Sequence, residues 1–143
     1  MISSKLRAYN SLYTEITAVY HDLAVKLGIT DSAATILYVI CSFGDSYPLG
    51  EICRRSGMSK QTANSAIRKL EQEGIVYLQA INGKSKMVCL TESGKAYAAK
   101  TVLRVMELED SIYDEWTEEE LGIYMELTQR FLEQIKKKTE ELT

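Results

Sequence analysis

Between residues 60 and 72, polar side chains with hydrogen-bonding groups recur at helical spacing. At 100° per residue they share one side of the predicted helix, which carries Gln61, Asn64, Ser65, Arg68 and Gln72. The opposite side carries the small or apolar residues Ala63, Ala66, Ile67 and Leu70. An arginine can bind O6 and N7 of guanine, and an Asn or Gln amide can bind N6 and N7 of adenine. The pattern predicts recognition of base edges in duplex DNA, with an ordinary solvated helix face as the alternative.

This helix is predicted to be the second of a helix-turn-helix. The two helices span about 49–55 and 59–73, and the residues between them are too few for anything but a tight turn. Gly57 lies in that turn, where a positive φ costs glycine little. Ser59 is the predicted N-cap, so the free amides of the first turn could bind a phosphate, and Lys60 adds a positive charge there.

A β-hairpin is predicted directly after the helix-turn-helix. Residues 75–80 and 86–91 are rich in β-branched and aromatic side chains, and they flank Asn82 and Gly83, a strong hairpin-turn signal. Lys84 and Lys86 then lie at the tip of a two-stranded ribbon, within reach of the DNA backbone or the minor groove. Lysines that keep a sheet edge from aggregating are the alternative. A helix-turn-helix followed by such a hairpin is a winged helix-turn-helix.

The charge of the chain is divided unevenly. The net charge is -3, yet residues 49–100 contain nine Lys and Arg residues against four Asp and Glu residues. Residues 101–143 contain five cations against twelve anions, and residues 1–48 contain three against four. Association responds to local potential, so the central segment is expected to attract phosphate and the two ends are not.

The N-terminal segment is predicted to be a long amphipathic helix. Its apolar stripe has spacings of three and four and is made of Leu6, Tyr9, Tyr13, Ile16, Tyr20, Leu23 and Leu27. Leu12 and Val19 widen the stripe beyond what one neighbouring helix would cover. This width favours deep burial or packing against a second copy of the chain, so we expect a homodimer.

Three more helices are predicted around the basic region. Asp31 is expected to cap a largely apolar helix that runs to about Gly44. Thr91 is expected to open a helix that runs to about Asp110, and Thr117 with Glu120 forms a capping box for the last helix. The fold class is therefore mainly α with a small β-hairpin wing.

The residues of the central segment resemble the DNA-binding lobe of the multiple-antibiotic-resistance regulator (MarR) family. The resemblance covers LGEICRRSGMSKQTANSAIRKLEQEGIVYLQ, residues 49–79, and NGKSKMVCLTESGKAY, residues 82–97, and the flanking helices resemble the family's dimerisation arrangement. The chain departs from the family at the wing, where the usual acidic residue and arginine are replaced by Asn82 and Lys84. A wing salt bridge is therefore not expected.

The resemblance implies one domain over residues 1–143, with a winged helix-turn-helix lobe at 47–99 and mainly dimerisation helices at 1–46 and 100–143. It implies a bacterial transcription regulator that binds double-stranded DNA as a homodimer on a pseudo-palindromic operator. Many members of the family are repressors that small, often aromatic, ligands release from DNA. A winged-helix module that contacts only proteins is the alternative function.

A ligand pocket is one interpretation of the aromatic residues near the N-terminus. Phenol-bearing walls suit an aromatic effector, and the residues in question are Tyr9, Tyr13, Tyr20, His21 and Tyr38. Helically spaced tyrosines are also typical of an ordinary core, and His21 is otherwise expected to be an unpaired surface residue. Both interpretations stand at this point.

Other site classes are not predicted. Cys41, Cys53 and Cys89 form no CxxC pair and only one histidine is present, so we expect no disulfide framework, metal site or cofactor. Cys53 could be a redox sensor beside two arginines, although a small packing residue is the favoured interpretation. No nucleophile with a base and an orienting group is apparent, so an enzyme is not expected. Without a long apolar run or a secretion signal, we expect a cytoplasmic protein without membrane contact.

Overall fold

The computed structural model describes residues 1–142, which contain seven helices and three short strands. In chain order these are α1 (Ser4–Leu27), α2 (Asp31–Ser42), β1 (Ser46–Pro48), α3 (Leu49–Ser56), α4 (Lys60–Gln72), β2 (Val76–Ala80), β3 (Lys86–Leu90), α5 (Glu92–Lys100), α6 (Val102–Tyr113) and α7 (Glu118–Glu140). The mainly α class with a small β-hairpin is confirmed. The chain forms two compact units, Met1–Val105 and the part from Met106 onwards.

Five of the seven helices in residues 1–142 begin at a side-chain cap, with one difference from the prediction. The N-cap of α2 is Thr30, whose hydroxyl accepts a hydrogen bond from the Ala33 N–H at 3.2 Å. Asp31, predicted as the cap, is instead the first helical residue, where its negative charge favours the helix N-terminus. Thr117 and Glu120 form the predicted capping box at the start of α7.

The single helix predicted from Thr91 to about Asp110 is wrong, because the chain breaks at Thr101 into α5 and α6. Thr101 has φ -122° and ψ -95°, which lies outside the helical region. Its buried hydroxyl donates to the Tyr97 carbonyl oxygen at 2.8 Å. A threonine hydroxyl that bonds to the carbonyl of the preceding turn favours a bend in a helix. The residues around Thr101 still have helical spacing in the sequence, so the bend was not predicted.

The hairpin is part of a three-stranded sheet, not the two-stranded ribbon that was predicted. The strand order is β1-β3-β2, and both pairs are antiparallel. The strand β1 pairs Tyr47 with Val88, and Pro48 ends it opposite Met87. Proline is tolerated there because β1 is an edge strand. The sheet thereby ties the start of α3 to the end of β3 that adjoins the wing tip.

The core of the first unit is built around α2. Ile36, Leu37 and Ile40 are fully buried, as the nearly continuous apolar sequence of this helix predicts. Ile52 of α3 and Ala63 of α4 are equally inaccessible and belong to the same cluster. Both helices of the helix-turn-helix are thus fixed by their inner faces, which leaves their outer faces free.

Within residues 1–142, α1 and α7 expose wide apolar faces. On α1, Leu12, Ile16 and Val19 are 61%, 54% and 65% accessible. On α7, Phe131 and Leu132 are the clearest examples, at 60% and 49%. Within residues 1–142 no helix is by itself long and apolar enough to cross a membrane, and α1 and α2 meet both conditions only as a pair, with a bend of 92° between them. Contiguous apolar patches of this kind mark surfaces that another molecule covers.

Candidate nucleic-acid interface

The turn between α3 and α4 is built from local hydrogen bonds. Gly57 has φ +70°, the left-handed conformation predicted for it. The Met58 N–H donates to the Ser56 hydroxyl at 3.3 Å, and Ser59 is the N-cap of α4, as predicted. The Ser59 hydroxyl accepts from the Thr62 N–H at 3.2 Å, and it donates to the Thr62 hydroxyl at 2.9 Å. The turn therefore sets the direction in which α4 leaves α3.

The α4 helix divides into a buried face and a free polar face. Ala63, Ile67 and Leu70 are buried in the core. The exposed residues on the outside are Lys60, Gln61, Ser65, Arg68 and Gln72. Asn64 is half-buried, so it is less available than its neighbours. In the part of the chain that the structure describes, no hydrogen bond or ion pair engages the side chains of Gln61 and Arg68, so both are free to contact another molecule.

The wing tip is ordered by an asparagine side chain. The Asn82 Oδ1 accepts hydrogen bonds from the backbone N–H groups of Lys84 and Ser85, both at 3.0 Å. The Ile81 N–H donates to the Ser85 carbonyl oxygen at 2.9 Å and closes the loop. Neither Asn82 nor Gly83 has a positive φ, so the tip is a five-residue loop and not a two-residue turn. These bonds rigidify the tip without a salt bridge.

Two cations project from the wing. Lys84 and Lys86 are exposed, and neither has an ion pair within residues 1–142.

Besides Arg68, the helix-turn-helix contains two arginines, and both already contact other side chains of the chain. Arg54 forms an ion pair with Glu51 that raises the pKa of its guanidinium, first through the hydrogen bond and then through charge. The guanidinium of Arg55 lies over the Phe43 ring, 4.9 Å from its centroid.

A cavity of about 440 Å³ opens in the first unit among α1, α2 and the start of α6. Of the five aromatic residues named from the sequence, Tyr20, His21 and Tyr38 line it. Tyr9 and Tyr13 do not, and their rings stack on each other at a centroid distance of 6.2 Å. Arg55 and Thr101 also line the cavity, although no local sequence pattern placed them there.

One interpretation of the sequence expected His21 to be an unpaired surface residue, and the structure shows that it is paired. Its Nδ1 lies 2.7 Å from the Asp31 Oδ2, so the pair joins α1 to α2 at the cavity. The hydrogen bond to Asp31 and the charge of that carboxylate raise the pKa of His21. Because the partners are ten positions apart in the chain and both remain exposed, helical periodicity could not identify them as a pair.

A second, open cavity of about 600 Å³ follows the flank of α4. Gln61, Ser65 and Lys69 line it from α4, and Ser32 lines it from α2. Because two of these residues belong to the polar face of α4, the cavity is continuous with the candidate interface.

The cysteines are free, and two of them are covered only in part. Cys41 and Cys53 are half-buried and Cys89 is buried. Burial raises the pKa of the Cys41 thiol to about 11, and the nearby Asp45 adds to the effect. Among residues 1–142, no group of three or more His, Cys, Asp or Glu side chains could hold a metal ion.

The comparisons with known proteins agree with this geometry. A family model described as MarR family matches residues 27–83. No curated protein sequence matches the chain. A MarR family regulator from Neisseria meningitidis has a similar structure, with 20% identity, a TM-score of 0.86, and coverage of 99% of this chain and 100% of its own.

Two further similar structures contain bound molecules. The complex of S. aureus MepR with DNA is 16% identical, with a TM-score of 0.71 and coverage of 94% of this chain and 99% of that one. NadR in complex with 4-hydroxyphenylacetate is 14% identical, with a TM-score of 0.72 and coverage of 91% and 93%. At these identities the likeness concerns the fold. A MarR family model thus matches residues 27–83, and the described chain shares the fold of solved MarR family regulators.

Proposed function

We propose that this protein is a transcription regulator that binds double-stranded DNA sequence-specifically as a homodimer and acts as a ligand-responsive repressor. The observation that carries the proposal is the free polar face of α4. A helix fixed by Ala63, Ile67 and Leu70 presents Gln61 and Arg68 to solvent, and neither side chain has a hydrogen-bond or ion-pair partner among residues 1–142. Such a helix fits the major groove of B-form DNA, where amide and guanidinium groups distinguish base pairs.

The contacts divide into two kinds. Gln61, Asn64, Ser65 and Arg68 are assigned to base edges. The backbone contacts are assigned to Ser59, Lys60, Lys84 and Lys86. The N-terminus of α4 offers free amide donors and Lys60, which favour a phosphate, and the ordered wing tip holds Lys84 in a defined position. Residues 47–99 form the DNA-binding lobe in this proposal.

The homodimer is supported by the exposed apolar faces of α1 and α7. Side chains such as Ile16 and Phe131 are more than half accessible and need a partner surface. In the proposal, residues 1–46 and 100–143 mainly provide that surface. A two-fold dimer would place two α4 helices in successive major grooves, about one helical turn of DNA apart, and so read a pseudo-palindromic operator.

The effector is assigned to the cavity beside α1 and α2. Tyr20, His21 and Tyr38 present an aromatic wall with polar groups, which suits a small aromatic molecule. Tyr9 and Tyr13 lie outside the lining and are assigned to the dimer surface of α1. NadR, a structural relative, is known with bound 4-hydroxyphenylacetate, and MepR with bound DNA. The proposal is a cytoplasmic regulator without catalytic function.

The test begins with duplexes that the purified protein selects from a random pool. Their affinities are then measured by fluorescence anisotropy at several salt concentrations for the wild type, Arg68→Ala, Lys84→Ala and the charge-matched control Lys26→Ala. Arg68→Ala should cost about 1–3 kcal/mol and relax specificity at one position in each half-site. Lys84→Ala should weaken all duplexes about equally and reduce the salt dependence. Lys26 lies on α1, outside the DNA-binding lobe, so its removal should change little.

Two results would contradict the proposal. If Arg68→Ala and Lys84→Ala weakened every duplex equally, α4 would not read bases. If no duplex bound with a steep salt dependence, the winged helix would be a protein-interaction module instead. Sedimentation tests the dimer separately, because a stable monomer at micromolar concentration is incompatible with it. Ile16→Asp should dissociate the dimer, since it places a charge in the proposed interface.

A further inference from the structure

We propose that Asn82 at the wing tip is a modification site, where cyclisation onto the Gly83 nitrogen converts the side-chain amide into a carboxylate and thereby weakens the binding of the wing to DNA. The reaction needs no enzyme, and its only co-reactant is water. The effect on DNA rests on the DNA-binding function proposed above, whereas the modification does not depend on it.

The reaction has two steps. In the first, the Gly83 nitrogen forms a bond to the amide carbon of Asn82, the bond from that carbon to Nδ2 breaks, and ammonia leaves with the proton that the Gly83 nitrogen has lost. The product is a cyclic imide. In the second step, water opens the ring at either of its two carbonyl groups and yields aspartate or isoaspartate. No electron is gained or lost, so neither an oxidant nor a reductant is required.

Both reacting nitrogens are accessible. Asn82 and Gly83 are exposed, and within residues 1–142 no hydrogen bond engages the Gly83 N–H or the Asn82 Nδ2. A Cβ built on Gly83 would meet no heavy atom within 4 Å, so the space around the attacking residue is open. Glycine also has no side chain that could hinder the approach of its nitrogen. The attacking group and the leaving group are therefore free to react.

The carbonyl group of the Asn82 side chain is held by two donors. Its Oδ1 accepts hydrogen bonds from the N–H groups of Lys84 and Ser85, both at 3.0 Å. Negative charge develops on this oxygen when the Gly83 nitrogen attacks, and backbone donors already in place at such distances stabilise that charge. Bonds to N–H groups two and three positions ahead also turn the side chain toward the following peptide, which contains the attacking nitrogen. The hydrogen bonds that order the tip thus also favour its modification.

The other two asparagines of the chain are poorer sites. Asn10 lies in α1 and Asn64 lies in α4, and each is followed by a serine. In a helix the next N–H is already bonded to a carbonyl oxygen four residues back, and the side chain points toward the preceding turn. Asn64 is also half-buried. We therefore expect the modification at Asn82 alone, with Asn10 and Asn64 as internal controls.

Each product changes the charge of the wing tip. Residues 81–86 contain two cations, Lys84 and Lys86, and no acid, so one new carboxylate lowers their net charge from +2 to +1. An aspartate oxygen can still accept both N–H bonds, whereas isoaspartate adds a methylene group to the main chain and displaces the acceptor. Binding to DNA weakens when less positive charge faces the phosphates. The modified wing therefore binds all duplexes less tightly, whatever their sequence.

The modification is tested by incubating the full-length protein at mildly alkaline pH and digesting it with trypsin. The three asparagines fall on separate fragments, 8–26, 61–68 and 70–84. Only the last should gain the mass expected when a carboxyl group replaces an amide. Chromatography should resolve both aspartate and isoaspartate, because direct hydrolysis of the amide would give aspartate alone.

Gly83→Ala is the matched variant, since Gly83 has no positive φ and its surroundings leave room for a Cβ. The added side chain should slow the modification about tenfold or more, because it hinders the attacking nitrogen. The circular dichroism spectrum of this variant checks its folding.

The effect on DNA is measured by anisotropy with the selected duplexes. Asn82→Asp, which has the carboxylate from the start, should bind several-fold less tightly than fresh wild type, and its salt dependence should decrease by about one for each wing. Incubated wild type should move toward the affinity of Asn82→Asp, whereas incubated Gly83→Ala should keep its own.

The outcomes separate the modification from its effect and from the proposed function. Equal rates at Asn64 and Asn82, or in Gly83→Ala and the wild type, overturn the modification site. An Asn82→Asp protein with the affinity and salt dependence of the wild type overturns the effect on DNA and leaves the site standing. If fresh wild type binds no duplex, the DNA-binding function and the effect on it fail together, and the mass spectra still decide the modification.

Discussion

Replacing Gly94 by alanine tests the structure directly. Helix propensity predicts that this substitution raises the free energy of unfolding, whereas the packing in the structure predicts that it lowers it. Gly94 is the third residue of α5, and its N–H donates to the Thr91 hydroxyl at 2.8 Å. The Thr91 hydroxyl donates to the Gly74 carbonyl oxygen at 2.6 Å, and the Thr91 N–H donates to the Ile75 carbonyl oxygen at 3.1 Å. The first turn of α5 therefore lies directly against the backbone that leads into β2.

The magnitude follows from the space at this contact. A Cβ on Gly94 would lie 1.9 Å from the Ile75 carbonyl oxygen and 2.9 Å from its carbonyl carbon. Carbon and oxygen normally approach no closer than about 3.3 Å, so α5 and the strand must separate by more than about 1 Å. Overpacking of this kind costs about 1–3 kcal/mol or more, which exceeds the gain of about 0.5–1 kcal/mol from replacing a helical glycine. We expect a net loss of about 1–2 kcal/mol and a decrease in Tm of about 3–8 °C.

The assay is thermal and urea unfolding followed by circular dichroism, at a fixed protein concentration because dimerisation affects the apparent stability. Gly50→Ala in α3 is the matched control, since no heavy atom lies within 4 Å of its Cβ. The control should be as stable as the wild type or slightly more stable. A Gly94→Ala protein with undiminished stability would refute the close approach of α5 to Ile75.

Three further results are expected. Asp31→Asn should lower the pKa of His21 in an NMR titration, because Asp31 raises that pKa in the wild type. The pair should stabilise the fold below about pH 6.5, and this stabilisation should be lost as the pH rises through the raised pKa of His21. A His21 pKa that does not respond would exclude the pair. Thr117→Ala should cost about 1 kcal/mol in urea unfolding, since it removes the cap that accepts the Glu120 N–H at 3.0 Å; unchanged stability would mean that the cap contributes nothing. Cys41, with a pKa of about 11, should react slowly with iodoacetamide at pH 8, and rapid modification identified by mass spectrometry would contradict its burial.

Features that depend on residues close together in the sequence could be predicted almost completely. The two faces of α4 follow from residues three and four apart, and Ala63 and Ile67 are buried while Gln61 and Arg68 are exposed. The prediction of Asp31 as a cap was off by one residue, since Thr30 is an equally suitable cap directly before it. The break at Thr101 was missed because no proline or glycine marks it.

Local patterns of residues were enough to predict the winged helix-turn-helix, its excess of cations and the exposed polar face of α4, because periodicity, caps and turns act over a few residues. Folding was needed to bring Ser46–Pro48 alongside β3, Asp31 to His21, and Arg55 to both the Phe43 ring and the cavity. These contacts join residues that are brought together by how helices and strands pack around α2. No local sequence pattern encodes such packing. The sequence could therefore predict only some of the residues that line the cavity.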